Sequence, residues 1–152
     1  MATSNYPAND AASGNIWGPV NPDPWTGLFW FGSSIRLRDI TDGTNNTIAV
    51  GERRITDNPP AFHQDQAFWA GAPSHNTGDV FGDGNNPINE ETSAGENFSS
   101  RHSGGCHFLF ADGSVRFLSE NIDHNPVELS GPYMATYQKL LNRRDGEPIG
   151  GF

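Results

Sequence analysis

The chain has 152 residues, a formal net charge of −9 and only 34% hydrophobic side chains, with 18 Gly and 11 Pro. That acidity argues against a nucleic-acid footprint, which needs clustered Lys and Arg, and no apolar run approaches the roughly 18 residues of a membrane span. Ten Phe, four Trp and three Tyr separate it from a disordered chain, which is poor in aromatics. One loop-rich domain is expected, with its core carried by a few large side chains.

Residues 1–27 hold Pro7, Pro19, Pro22 and Pro24 and show no period of 2 or 3.6. This predicts an extended N-terminal arm. Tyr6, Trp17 and Trp25 are its candidate contacts with a neighbouring subunit, made by strand addition. Residues 28–152 are then a single β-rich globular domain. Within it, 28–31 reads as a buried strand and 35–40 as a half-buried strand, or the lead into a turn capped by Asp39. Residues 45–53 read as a strand with Ile48 and Val50 on one side. Glu52, beside Arg53 and Arg54, is expected to pair with Arg36 or Arg38. A further strand is expected at 67–70.

From 74 to 99 runs a long acidic segment rich in Asn and Gly. Asp79, Asp83, Asn85, Glu90 and Glu91 offer hard oxygen ligands there, which makes calcium the candidate cofactor. Their spacing is not that of an EF-hand, and a solvated acidic loop explains the same residues.

The clearest signal is residues 99–118. Asp112-Gly113 suits a two-residue hairpin loop, since Gly accepts positive φ without cost. Such a loop would set Phe110 opposite Val115 and Phe108 opposite Phe117. One face would then carry Phe108, Phe110, Val115 and Phe117. Farther on, Ser130 can cap a helix with Pro132 in its first turn, and apolar positions 133, 134, 137, 140 and 141 share one face. Gly146 is its expected stop, and 147–149 reads as a short edge strand.

His102, His107 and Asp112 are spaced five apart, which invites a metal or catalytic reading. A strand advances about 3.3 Å per residue, so they converge only if the Gly104-Gly105 segment folds back. No Gly-x-Ser-x-Gly elbow supports a hydrolase. The plain reading makes His102 structural, tying the Gly104-Gly105 bend to a neighbouring strand through Glu52. Cys106, the single cysteine, is expected to be a small buried filler.

Residues 101–118, with His102, nine residues, then Asp112-Gly113, resemble the H-x9-DG signature of a large bacterial family. That family is described as prepilin-type-processing-associated, or domain of unknown function 1559. Residues 35–52 resemble its second block, and 3–6, 137–140 and 145–147 look similar as well. The resemblance singles out His102, Asp112 and Gly113 as motif residues. It implies a pilin- or pseudopilin-like globular domain at a bacterial cell surface, seen without the leader and hydrophobic helix that usually precede it, and with no established catalytic activity.

The expected fold is therefore α+β: a β-rich antiparallel sheet with long loops and one C-terminal helix. Its core should hold Phe29, Phe31, Ile48, Val50, Phe68, Trp69, Phe108, Phe110, Phe117, Tyr137 and Leu140. The expected function is non-enzymatic, as a self-associating subunit of an extracellular filament or pilus-like assembly. The alternative is a monomeric surface module that binds calcium or glycan.

Overall fold

The computed structural model describes residues 3–12, 26–30, 32–54, 67–68, 80–90, 97–128, 131 and 133–152. Among them lie the strands β1 (Thr3–Ser4), β2 (Ala8–Ala11), β3 (Ile48–Gly51), β4 (Ala67–Phe68), β5 (Phe81–Asp83), β6 (Gly105–Phe110) and β7 (Val115–Ser119). They are joined by a 3-10 turn at Leu37–Asp39 and the helix α1 (Thr136–Leu141). β1 and β4 form a small antiparallel ribbon, and the main sheet runs β5-β2-β3-β6-β7. The α+β expectation holds. The main sheet is antiparallel except at β2–β5, which pair in parallel.

Within the stretch read as an arm, β2 sits inside the main sheet between β5 and β3. The sequence Ala-Asn-Asp-Ala hides this strand because two of its three buried positions, Asn9 and Asp10, are polar. Asn9 is fully buried, and its side-chain amide donates to the carbonyls of Ile48, 2.8 Å, and Leu141, 2.9 Å. One polar side chain thus joins β3 to the end of α1, each bond replacing one lost to water. Residues 28 and 29 are not strand either. Both amides donate to Asn9 O, leaving Leu28 buried and Phe29 41% exposed. Phe31 and Trp69, and the side chain of Phe68, lie outside the described residues.

The hairpin forms, with its register one residue off the expected one. Leu109 faces Val115, Phe108 faces Arg116, His107 faces Phe117 and Cys106 faces Leu118. The Gly113 amide closes the turn onto Phe110 O, and Phe110 N–H returns to Ser114 O. The loop is therefore Ala111-Asp112-Gly113, with Gly113 at φ 87°, which is the three-residue turn-plus-bulge alternative to a two-residue loop. A slip of one residue moves a strand's side chains to the opposite face. Phe108 and Phe110 consequently share the core face with Cys106 and Leu118, while Val115 and Phe117 turn outward at 62% and 46% exposure.

A second irregularity separates Ile48 from Val50. The β3–β6 register shifts between them, so Ile48 enters the main core and Val50 packs with Leu28, Ile40 and Ala49. The main core gathers Phe98, Phe108, Phe110, Tyr137, Leu140 and Leu141 with smaller residues. Phe98 and Phe108 meet edge to face at 5.2 Å, and a Cβ at Gly51 would strike both rings. Glycine is required there by close approach, whatever its conformational freedom.

Helix α1 is shorter than its periodicity suggests. Tyr133 is 82% exposed, ahead of the first turn. At the other end Arg143 N–H leaves the helix to bond Thr26 O, and its guanidinium donates to Gly27 O. Tertiary partners end the helix before Gly146, which has φ 74°. Residues 147–149 form no strand, though Ile149 still packs against the core.

Candidate functional site

The outer end of the β3–β6 pair gathers the ionisable groups. Glu52 directly follows β3 and continues its pairing, its N–H donating to His107 O at 3.3 Å. Its carboxylate then curls back, so Oε2 accepts the N–H of His107 at 2.8 Å. The segment before β6 is pinned alongside. Ser99 N–H donates to Glu52 O, and Arg54 N–H donates to Ser99 Oγ.

Ser100 makes the turn that brings His102 in. Its buried hydroxyl donates to Gly105 O at 2.6 Å and accepts the N–H of His102 at 3.0 Å. Gly104, at φ 83°, completes the reversal. The Gly-Gly segment does fold back, and His102 meets Glu52 with Nε2 3.3 Å from Oε1. His107 Nδ1 lies 3.5 Å from the other carboxylate oxygen. The two imidazoles stand edge to face at 4.9 Å. One ligand atom from each of Glu52, His102 and His107 lies within 4.8 Å of the others. Glu52 is mostly covered, with 18% of its side chain exposed, whereas His102 keeps 53% and His107 43%. Open clefts of about 680 and 330 Å³ flank His102, and both are lined by Arg54, Ser100, Arg101 and His102.

The expected tie from His102 to Glu52 is present, and the expected pairing of Glu52 with Arg36 or Arg38 is replaced. Arg38 instead lies 3.8 Å from Asp39. Asp112 does not join the histidines. Strand β6 separates it from His102, roughly 20 Å at about 3.3 Å per residue, and its carboxylate accepts Ser114 N–H within the turn. The H-x9-DG spacing therefore marks the two ends of one strand: a histidine turn before it and an aspartate-glycine turn after it.

Of the candidate calcium ligands, Asp79 and Glu91 lie outside the described residues. Asp83 is 2% exposed, and its Oδ1 accepts Asn85 N–H, while Asn85 faces solvent. Glu90 contributes its carbonyl to the Asn97 amide. Among the described residues, Glu52–His102–His107 is the one group of three His, Cys, Asp or Glu side chains close enough to share an ion. Tyr6 is 63% exposed, and Trp17 and Trp25 lie outside the described residues. Cys106 is the buried filler expected of it, and burial pushes its thiol up to about 12, far from a reactive thiolate.

His107 is the site residue that spacing along the chain could not place. It stands five positions from His102, and only the turn at 101–104 returns the two rings to one spot. Strand alternation with Phe108 and Phe110 assigns it to the outer face, but its meeting with Glu52 comes from the β3–β6 pairing.

The family model described as a protein of unknown function (DUF1559) matches residues 2–125, which includes every residue of this site. Comparison with curated proteins and with solved structures gives no significant match.

Proposed function

This chain belongs to the DUF1559 family, and we propose that it is a non-enzymatic structural subunit that associates with further copies of itself through the outer face and free edge of the β6–β7 hairpin. The observation that carries this reading is the outer face itself. Leu109, Val115 and Phe117 stand together there at 38%, 62% and 46% exposure, with Leu109 paired to Val115 and Phe117 to His107 across the strands. Strand β7 is a terminal strand of the sheet among the described residues, so its outer backbone groups offer a template for a strand from another copy.

Soluble monomers usually blunt such an edge with charge, proline or a bulge. Across Val115–Ser119 the only charged side chain is Arg116, and it turns inward, its guanidinium 4.6 Å from the Phe110 ring. An apolar, uncharged outer edge is what a self-associating subunit needs. A filament or pilus-like assembly at a bacterial surface is the form of that association the family resemblance favours.

The test is sedimentation velocity and negative-stain imaging of the full chain over a range of concentrations. The expected result is concentration-dependent association into regular polymers, abolished by Val115→Asp with Phe117→Asp, while the melting temperature stays within a few degrees. A single monomer boundary at high concentration, or association that ignores the double substitution, would overturn the proposal.

A further inference from the structure

We propose that Glu52, His102 and His107 bind one divalent ion of the zinc class, with a fourth position open to solvent. This goes beyond the assembly reading and does not rest on it. Two imidazole nitrogens and one carboxylate oxygen are a donor set zinc accepts in sites that keep an open position. The spacing supports it. Zinc bonds of about 2.0–2.1 Å at tetrahedral angles place neighbouring ligand atoms about 3.4 Å apart. His102 Nε2 lies 3.3 Å from one Glu52 oxygen and His107 Nδ1 3.5 Å from the other, and one donor atom from each of the three residues lies within 4.8 Å of the other two. An ion pair closed on itself would be tighter, about 2.7–2.9 Å for a charge-assisted hydrogen bond.

The scaffold holds the donors in place before any ion arrives. Glu52 and His107 sit on adjoining chains whose backbones bond each other, and Glu52 is further oriented by His107 N–H. Ser100 fixes the backbone of the His102 turn from both sides. The His102 ring, half exposed, is the least constrained of the three donors. Partners that orient the ligands in this way make affinity sensitive to their loss. Calcium is the wrong ion for this place. It seeks six to eight oxygens, whereas two of the three donors here are nitrogen.

The experiment uses the full chain, stripped with a chelator and titrated with zinc chloride by calorimetry, then with cobalt chloride by visible absorption. One ion per chain is expected, together with the intense visible bands of tetrahedral cobalt. His102→Ala and His107→Ala should each weaken zinc binding at least tenfold and remove those bands. Glu52→Gln keeps an acceptor for His107 N–H while removing the charge, and should also weaken binding. Circular dichroism checks that each variant is folded, and the exposed His102 ring makes His102→Ala the variant least able to disturb the fold. Absence of zinc binding by the native chain overturns the proposal, as does binding unchanged in both histidine variants. So does a calcium response in place of a zinc response. Val115→Asp alone, which lies across from Leu109 and not from His107, should weaken association yet bind zinc as the native chain does, which separates failure of this site from failure of the assembly reading.

Discussion

The two faces of the β6–β7 hairpin are built from the same ten or so residues and obey different physics. On the inner face Cys106, Phe108, Phe110 and Leu118 are each 2% exposed or less. Their order comes from volume: close-packed rings lose contacts for every methylene removed. On the outer face His107, Leu109, Val115 and Phe117 remain in reach of solvent. Order there comes from hydrogen bonds, concentrated where Glu52, Ser100 and His102 meet the start of β6. One face therefore secures the fold and the other is at liberty to carry a site and a contact surface.

Four measurements would break or sharpen that contrast. The largest effect belongs to Phe108→Ala, which should cost about 3–5 kcal/mol by chemical denaturation, whereas Phe117→Ala on the outer face should cost less than about 1 kcal/mol. Equal losses would show that the two faces are not so divided. Next comes Ser100→Ala, which leaves Gly105 O and His102 N–H without their shared partner. It should cost about 1–3 kcal/mol, and the His102 imidazole resonance should shift more than that of the distant His124. A loss near zero would mean that the outer face is held by something other than these bonds.

A smaller, pH-dependent effect belongs to Asp145, the carboxylate that contrasts with Glu52. It lies against Asp42, whose carboxylate accepts the N–H groups of Asp145 and Gly146, and its own Oδ2 is buried without a partner. Burial, with Asp42 and Glu147 adding to it, pushes the Asp145 carboxyl up to about 6 from 3.8. The folded chain thus holds this proton more tightly than the unfolded one. The contribution to stability is full below about pH 4 and is lost as pH rises through about 6. Asp145→Asn removes that dependence. The native chain and the variant should melt together near pH 4, with the variant higher at pH 7; parallel melting curves across that range would contradict the assignment.

The smallest effect is expected of Tyr137→Phe. The Tyr137 hydroxyl is buried without a hydrogen-bond partner, and burial raises its pKa far above the ordinary value. Deleting an unsatisfied buried hydroxyl should change stability by no more than about 0.5 kcal/mol, or raise it slightly. A loss of several kcal/mol would mean that the inner face depends on a polar contact after all.

Much of this molecule was legible in the chain because local chemistry decides it. Asp112-Gly113 is a turn wherever it occurs between two apolar runs, and residues 137, 140 and 141 share a helix face by period alone. The α+β class, the buried Cys106 and the DUF1559 membership follow from such signals. The link from His102 to Glu52 was legible too, given a bend at Gly104-Gly105. What escaped were features in which a distant partner outweighs the local pattern. The polar strand Ala8–Ala11 is stable only because Asn9 finds Ile48 and Leu141. The helix ends early because Arg143 finds Thr26 and Gly27.

The hairpin draws the line most sharply. Sequence by itself determined that residues 105–119 form two strands about a glycine turn, since alternation and turn chemistry are properties of neighbours along the chain. Only the tertiary structure decided whether the loop holds two residues or three, because both satisfy the turn and packing chooses between them. That single residue decides which face of β7 joins Phe108, sending Leu118 inward and Phe117 outward beside His107. The fold class could be read from the chain; the outer face of β7 waits on the register, the site waits on the 101–104 turn and the β3–β6 pairing, and packing settles them.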